Sequence, residues 1–400
     1  MLTKRNKESF LDIKSTSILK KFHKTLKTKT QTKTLKQTKT LNTQNTQTHI
    51  IEYIFAKTDL EQWTYQDIYK LLSATRQNSN CMIDIMMYTK TYSAFIHIEN
   101  GKHKIVQISP SSFFSVKTFQ NFIEIVKKNQ EKYQKNFQNL NSIFVFGGHC
   151  NGWKCYTDDY TVDFEMIYHT FIKNNMKFNA ICFDCCYSST FELLYQFHDL
   201  TDYIIAHQSY VYGNGFNSRN LSKIFDINNN VNNNVNNNVN NNNISFLEKL
   251  ILLCMDYLVR TIDEENEFSN FTIIDTDHFK DFLKLFKENY QSILGILHNK
   301  KSKHFLTDVC NKCLTDDIDS DNEASIYNNM LDLYSVVKIL GNKKLIELFK
   351  KSVFYRENDI KKDGKYFNPN TKLNGINIII NPPNSKSNKY YMNLRFLKDF

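Results

Sequence analysis

From residue 49 onward, short apolar segments alternate with amphipathic ones along the chain. Short apolar segments are typical of buried strands, and amphipathic stretches are typical of helices that cover a sheet. The alternation therefore predicts an α/β fold, with a mainly parallel sheet flanked by helices. The predicted strands are 50–56, 82–87, 143–146, 180–183, 203–206 and 376–380, and the predicted helices are 65–74, 117–137, 162–174, 190–197, 244–259, 277–286 and 331–353.

Two inserted features modify this pattern. Residues 94–108 predict a β-hairpin, because Asn100 and Gly101 at its centre readily adopt the positive φ angles of a two-residue turn. Residues 228–243 repeat three Asn and one Val, a composition that cannot bury a core, and they predict a mobile surface insertion. The helices beyond that insertion predict a helical C-terminal extension.

The positive charge is concentrated at the start of the chain. The net charge is +10, but residues 1–49 hold 12 basic and two acidic residues, so the remainder is neutral. We expect residues 1–49 to form a disordered basic arm and residues 50–400 to form the folded domain. The arm either contacts nucleic acid or an anionic surface or is a solvated tail, and its composition favours the tail.

Composition also guides the expected compartment. The sequence contains no run of about 18 apolar residues and no apolar signal core in its first 22 residues, so no membrane span or export is expected. The nine cysteines are odd in number and irregularly spaced, which favours a reducing compartment. We therefore expect an intracellular, cytoplasmic protein. The Asn, Lys and Ile bias suggests an AT-rich genome, and a viral origin would place the protein in the host cytoplasm or the virion.

Two segments place a histidine and a cysteine just beyond successive predicted strands. His149 lies in the segment FVFGGHCNGW, and Cys185 and Cys186 lie in ICFDCCYSS. Residues beyond the carboxyl ends of parallel strands share one edge of the sheet, where open α/β folds place their sites. A thiol and an imidazole at that edge form a candidate nucleophile and proton donor.

Strand alternation distinguishes the two adjacent cysteines. In an extended chain, Cys182, Asp184 and Cys186 face one way and Cys185 faces the other. Cys186 is therefore the candidate nucleophile, and Cys185 is expected to pack behind it. The alternative is that these cysteines are ordinary core residues, the commoner role of a cysteine in an apolar strand.

A helix start is predicted directly after this loop. Ser189 and Glu192 have the spacing of a capping box, which places a helix N-terminus close to Cys186. The partial positive charge of a helix N-terminus favours a thiolate.

Several segments, in the same order, resemble the clostripain family of cysteine peptidases, which has the caspase-like (caspase–haemoglobinase) fold. The family's strand with the catalytic His is matched by FVFGGHCNGW, and its Asp-x-Cys block by FDCCYSSTFELLYQFHDLTDYIIAHQSYVYGNGF. Its two Asp-containing helix starts are matched by FTIIDTDHFKDFLKLF and MLDLYSVVKIL, and its terminal strand and closing helix by GINIIINP and residues 390–398. The resemblance covers about residues 50–400, and the caspase pentapeptide around the Cys is absent.

The resemblance implies a role for each matching residue. His149 would protonate the leaving amine and Cys186 would form the acyl-enzyme, giving an endopeptidase with a Cys–His dyad. The backbone amides of Gly148 and Cys186 would stabilise the oxyanion. Asp184 would line the pocket for the P1 residue, which precedes the cleaved bond, and would favour Arg or Lys there.

Two positions depart from the family pattern. Cys150 stands where the family usually has Gly after the catalytic His, so the oxyanion loop carries a side chain in a tight position. Asn214 replaces the family's second acid in the P1 pocket, which weakens the expected preference for a basic P1 residue.

No metal or other cofactor is required by this chemistry, although the resemblance adds calcium as a candidate ion. Cys150 and Cys155 as metal ligands or an oxidised pair, and Cys310 and Cys313 as half a zinc site, are the less favoured interpretations. Two histidines beside the hairpin turn, His97 and His103, are expected to be exposed. His207 and Gln208 follow a predicted strand and are expected at the rim of the site.

Three functions compete. The first is an endopeptidase that acts on a peptide or protein substrate and matures by cutting itself, with candidate sites at Lys154, Lys173 and Lys177. The second is a catalytically silent interaction or structural protein with the same fold. The third is a redox or metal protein built on the cysteines, which lacks sufficient ligands in the sequence.

Overall fold

The computed structural model describes residues 46–74, 81–90, 93–99, 102–108, 116–134, 139–152, 154–155, 162–208, 211, 215, 224, 245–265, 271–299, 330–357, 361–362, 365–366, 374–379 and 394–400. The Asn-rich insertion lies outside these residues. So does the basic arm, except for its last four residues, which begin the first strand. Both the arm and the insertion, with the partners expected for the arm, stay predictions.

The strands are β1 (Thr46–Phe55), β2 (Cys81–Tyr88), β3 (Ser93–Glu99), β4 (Lys102–Ile108), β5 (Asn139–Gly148), β6 (Cys150–Asn151), β7 (Lys154–Cys155), β8 (Phe178–Asp184), β9 (Thr201–Ala206), β10 (Phe271–Asp275), β11 (Met330–Asp332), β12 (Val353–Glu357), β13 (Lys361–Lys362), β14 (Lys365–Tyr366) and β15 (Asn377–Ile379). The helices are α1 (Glu61–Ala74), α2 (Val116–Gln134), α3 (Phe164–Lys173), α4 (Phe191–Phe197), α5 (Phe246–Glu265), α6 (Thr276–Glu288), α7 (Tyr290–His298), α8 (Leu333–Leu340), α9 (Lys343–Ser352) and α10 (Arg395–Asp399).

Among the described residues, nine strands form one sheet in the order β12-β10-β9-β8-β5-β1-β2-β3-β4. The five central strands, from β9 to β2, run parallel. The strands outside them pair antiparallel, as the β3–β4 hairpin on one side and as β10 and β12 on the other. The predicted mainly parallel sheet and the predicted hairpin are thus confirmed, and the hairpin's turn residues lie outside the described part.

Helices cover both faces of the sheet. On one face, the Phe119 ring of α2 lies 4.8 Å from Tyr53 of β1, and the Phe171 ring of α3 lies 5.0 Å from Phe144 of β5. On the other face, the Tyr257 ring of α5 lies 5.4 Å from the imidazole of His207, the residue after β9. Burying one such aromatic side chain stabilises the fold by roughly 1.5–3 kcal/mol, so this packing fixes the strand ends that carry the site.

The segment predicted as one helix, 331–353, is instead a strand followed by two helices. Asp332 ends β11 and its carboxylate caps α8 by accepting from the Ser335 amide. Gly341 ends α8 with a φ of +73°, a left-handed conformation that glycine adopts without steric cost. Asn342 then caps α9. The helical spacing of apolar residues continues on both sides of Gly341 and Asn342, so the sequence pattern predicted one helix across them.

The helices among the described residues include none with the length and apolar character needed to cross a bilayer. The last helix, α10, packs against α3 and the residues after α4. Arg395 forms an ion pair with Asp199 at 2.9 Å, and its guanidinium lies 4.3 Å from the Tyr168 ring centre.

Candidate active site

Strand register brings the two predicted catalytic residues to one edge of the sheet. Gly147 of β5 pairs with Asp184 of β8, and the strands are parallel neighbours. His149 and Cys186 each lie two residues beyond that pair, past the carboxyl ends of the two strands. Gly148 packs closely against the end of β1, because a Cβ there would lie 3.0 Å from the Phe55 Cβ.

Cys186 is the accessible thiol of the pair. Its side chain is partly exposed, whereas Cys185 is buried, as the alternation predicts. Its sulfur accepts a hydrogen bond from the Val211 amide at 3.2 Å, and its thiol donates to the Val211 carbonyl oxygen at 3.5 Å. The contact with the amide favours the thiolate, and the contact with the carbonyl oxygen favours the protonated thiol.

The neighbouring thiols are held in the protonated form. Burial, with smaller contributions from Cys186 and Asp184, raises the pKa of the Cys185 thiol well above its usual value. Burial likewise raises the pKa of Cys182, which is fully enclosed in β8. Neither residue is suited to act as a nucleophile at neutral pH.

His149 has an acidic partner that the sequence analysis missed. Its Nε2 lies 2.6 Å from Oδ1 of Asp59, in the loop between β1 and α1. The hydrogen bond from His149 is the largest influence on this carboxyl group and holds the pKa of Asp59 below its usual range. A signal was present: Thr58 and Glu61 flank Asp59 with capping-box spacing, which marks a helix start at the carboxyl end of β1.

A short disulfide-bonded hairpin follows His149. Strands β6 and β7 pair Cys150 with Cys155, and the two sulfurs are bonded. The oxidised pair, a less favoured interpretation of these two cysteines, is therefore the one that the structure shows. The odd total concealed one bonded pair, because five other cysteines are free in the described part of the chain.

Asp184 packs against the loop that carries the second predicted pocket residue. A Cβ on Gly215 would overlap the Asp184 carboxylate, so the Gly215 backbone lies directly on it. Asn214 precedes Gly215 and lies outside the described residues, as do the predicted half zinc site at Cys310 and Cys313. Asp184 and Asn214 keep their predicted substrate-binding roles as predictions.

His207 and Gln208 do not line the site, because both are fully buried behind the Cys186 loop. The His207 carbonyl accepts from the Ser189 amide at 2.8 Å. Gln208 donates to Asp332 at 3.1 Å and to Asn377 at 2.9 Å, and it accepts from the Gly375 amide at 2.6 Å. Their position directly after an apolar strand suggested the rim, and long-range pairing with the C-terminal segment places them inside.

The C-terminal segment also replaces the predicted capping box. The Asn377 amide donates to the Ser189 carbonyl at 2.8 Å. Thr190, not Ser189, caps α4 by accepting from the Leu193 amide, and Glu192 accepts from the Ile379 amide at 3.0 Å. The segment after Cys186 is thus hydrogen-bonded to strand β15, about 190 residues downstream.

The calcium ion that the family resemblance suggests stays a prediction. In the described part of the chain, the cluster of three potential metal ligands is made of buried sulfurs, those of Cys150, Cys155 and Cys185. Calcium binds six to eight oxygens, and thiol sulfurs are too soft for it.

One of the histidines predicted to be exposed is not. His97 is only 21% exposed, and its Nδ1 lies 2.6 Å from Oδ1 of the buried Asp84, which also binds His49. His103, on the outer strand of the hairpin, is exposed as expected. The two histidines differ because Asp84 lies opposite His97 in the sheet register.

No protein-family profile and no curated protein matches the sequence. Solved structures do match over most of the chain, including iotapain, a secreted C11 cysteine protease from Bacteroides thetaiotaomicron, with a TM-score of 0.57, 16% identity and coverage of 84% of this chain and 93% of that one. The fold is that of the C11 proteases. An inactive zymogen C11 protease from Parabacteroides distasonis matches with a TM-score of 0.58 and 18% identity, covering 88% and 97% of the two chains. The expected likeness to the clostripain, or C11, fold is confirmed.

A third matching C11 structure, also from Bacteroides thetaiotaomicron, is a secreted protease in complex with an irreversible peptide inhibitor, with a TM-score of 0.57, 15% identity and coverage of 88% and 97%. Two of the matching C11 structures are thus described as those of a secreted protease, which contradicts the expected cytoplasmic, intracellular location. The disulfide beside His149 agrees with this correction, because disulfides persist mainly in oxidising compartments.

Proposed function

We propose that this protein is a cysteine endopeptidase in which Cys186 is the nucleophile and His149 is its proton-transfer partner. The observation that supports the proposal is the register of strands β5 and β8, because His149 and Cys186 each follow the paired Gly147 and Asp184 by two positions. Partial exposure of Cys186 gives a peptide access to its sulfur. A thiol and an imidazole at one strand edge are the minimal equipment for acyl transfer.

The reaction proceeds through an acyl-enzyme. The Cys186 thiolate, which the Val211 amide contacts, attacks the scissile carbonyl carbon. The negative charge then passes to the oxygen of that carbonyl group. The backbone amides of Gly148 and Cys186 are the candidate donors to that oxygen. His149 protonates the leaving amine and then takes a proton from the water that hydrolyses the thioester.

Asp59 orients His149 in this scheme. A carboxylate hydrogen-bonded to one imidazole nitrogen fixes the orientation of the ring. With Nε2 engaged, Nδ1 is the nitrogen that exchanges the proton with substrate.

Asp184 is the candidate determinant of a basic P1 residue. Its carboxylate lies at the end of β8 beside Gly215, two residues before the nucleophile. A charge-assisted hydrogen bond would select Arg or Lys, and the neutral Asn214 predicts a weaker preference than two acids would give. Self-processing at an exposed basic site is part of the proposal, and Lys173 and Lys177 are both exposed.

The test is cleavage of fluorogenic peptides with Arg, Lys, Asn or Asp at P1, by wild type, Cys186→Ala and Cys185→Ala. We expect cleavage after Arg and Lys that is lost in Cys186→Ala and retained in Cys185→Ala. Parallel assays with calcium and with a chelator test the calcium expectation. A folded wild type that cleaves none of the peptides would contradict the proposal and favour the catalytically silent alternative.

A further inference from the structure

Three cysteine sulfurs lie between the loops of the two proposed catalytic residues. The sulfurs of Cys150, Cys155 and Cys185 are all within 4.8 Å of one another, and all three side chains are buried. Cys150 directly follows His149, and Cys185 directly precedes Cys186. The proposed mechanism uses none of the three.

The hairpin after His149 is too small to hold its own shape. Strands β6 and β7 are two residues each, and their register comprises Cys150 with Cys155 and Asn151 with Lys154. Isolated hairpins are marginal in water even when longer, so the covalent link between Cys150 and Cys155 supplies the constraint. The last residue of the hairpin, Cys155, is held by the Val162 amide, which donates to the Cys155 carbonyl at 2.7 Å.

The backbone of His149 is therefore fixed on both sides. On one side, Gly148 packs against Phe55 at the end of β1. On the other side, the next residue is in the disulfide. The tip of the hairpin rests on the segment behind the nucleophile loop, since a Cβ on Gly152 would meet Met330 at 2.7 Å and Thr190 at 3.2 Å. Opening the disulfide would release one of these two anchors.

We propose that the Cys150–Cys155 disulfide positions His149, so that the active enzyme needs this pair oxidised while Cys186 is reduced. The inference rests on the proposed peptidase function. A dithiol reductant opens the pair by giving it two electrons and two protons, which yields two cysteine thiols and the cyclic disulfide of the reductant. The same reductant is needed to regenerate an oxidised Cys186, so it acts on both sites in opposite directions.

Access separates the two reactions. Cys186 is partly exposed, whereas Cys150 and Cys155 are buried, so an external thiol reaches Cys186 first. Activity should therefore rise at low reductant and fall at higher reductant. The third cysteine does not scramble the pair, because the buried Cys185 thiol stays protonated and a thiol must ionise to attack a disulfide.

The experiment is a series of dithiothreitol concentrations in which each sample is assayed on the best peptide, then acid-quenched, alkylated and mapped for the state of each cysteine. We expect wild-type kcat to fall at least tenfold as the Cys150–Cys155 pair opens, with KM within twofold. A Cys150→Ser, Cys155→Ser double variant should be at least tenfold low throughout and lack the second phase. A Cys81→Ser, Cys254→Ser double variant, which removes two buried cysteines outside the cluster that form no disulfide, should behave like wild type.

Three results would overturn the inference: full kcat with the pair mapped as open, wild-type kcat in the Cys150–Cys155 double variant, or a disulfide from Cys185 to either partner.

A second readout is independent of peptidase activity. Cys186 alkylation by iodoacetamide near pH 6 reports a thiolate paired with an imidazolium, and it should slow at least fivefold when the pair opens. If no peptide is cleaved, this rate alone decides: a slowing supports the inference, and an unchanged rate overturns it.

Discussion

The imidazole of His149 and the carboxylate of Asp59 lie 2.6 Å apart, from Nε2 to Oδ1, and join the ends of two neighbouring parallel strands. Asp59 is 81% exposed and His149 is 34% exposed. Solvent screens an interaction at this exposure, so the main contribution of the carboxylate is the orientation of the ring.

Asp59→Asn should therefore lower kcat by about 2- to 5-fold, which corresponds to roughly 0.5–1 kcal/mol, with KM little changed. The pKa of Asp59 is lowered, so its contribution is present at neutral pH and is lost as pH falls through that lowered value. In the variant, kcat should lose this acid dependence. Glu61→Gln, which alters the next acid in the chain, is the control, and an equal loss there would contradict a specific role for Asp59.

Gly215→Ala tests the pocket beside Asp184. The added methyl group would overlap the carboxylate, and the φ of +38° at this position is unfavourable for alanine. We expect a loss of at least tenfold in kcat/KM for peptides with Arg or Lys at P1. Gly295→Ala is the matched control, because nothing lies within 4 Å of a Cβ in that helical position. It should leave kcat/KM unchanged and raise the free energy of unfolding by roughly 0.5–1 kcal/mol.

Asn377→Ala tests the support behind the nucleophile loop. The change removes a donor to the Gln208 carbonyl and an acceptor from the Gln208 side chain, both buried. Leaving buried polar groups without partners should lower the free energy of unfolding by about 2–4 kcal/mol, measured by urea denaturation. The exposed Asn299→Ala should change it by less than about 0.5 kcal/mol. Equal effects of the two substitutions would contradict the assigned role of the network.

The buried Asp84 makes stability depend on pH. Burial opposes its ionisation, but hydrogen bonds from His49, His97 and Asn129 outweigh burial and hold the pKa of Asp84 well below its usual range. The hydrogen bond to Asp84 in turn raises the pKa of His97. A raised histidine pKa stabilises the fold below the unfolded value of about 6.5, and this stabilisation is lost as pH rises through the raised pKa.

Urea unfolding of wild type should therefore show a decrease in stability as pH rises above about 6.5 and through the raised pKa of His97, and His97→Gln should reduce that decrease. At the acid end, stability should fall as pH drops below about 4 toward the lowered pKa of Asp84. His103→Gln, on the neighbouring strand and exposed, should keep the wild-type pH profile. A His97→Gln profile that matches wild type would show that His97 does not carry this dependence.

The sequence predicted the features that depend on local pattern. Apolar runs identified the parallel core strands, and the positions of His149 and Cys186 just after two of them predicted their common edge. Alternation also predicted that Cys185 is buried and Cys186 partly exposed, although β8 ends at Asp184. Beyond it, the φ of +54° at Tyr187 turns the chain, so the burial of Cys185 depends on packing as well as on alternation.

The missed features depend on pairs of residues far apart in the sequence. Asp59 meets His149 across 90 positions, and Asn377 meets Gln208 across 169. Neither pair leaves a periodic signal, because each contact depends on how segments distant in the sequence come together and not on the spacing of neighbours. The bonded cysteine pair was concealed by a residue count, which carries no information about distance.

Lys154 lies inside the ring that the Cys150–Cys155 bond closes. A maturation cut after this lysine would therefore hydrolyse the peptide bond without separating the two halves of the chain. The nicked protein would migrate as a single 47.3 kDa species in a gel run without reductant and as two bands with it. Cuts after Lys173 or Lys177 fall outside the ring and would leave no such tether, so one pair of gel lanes distinguishes the sites.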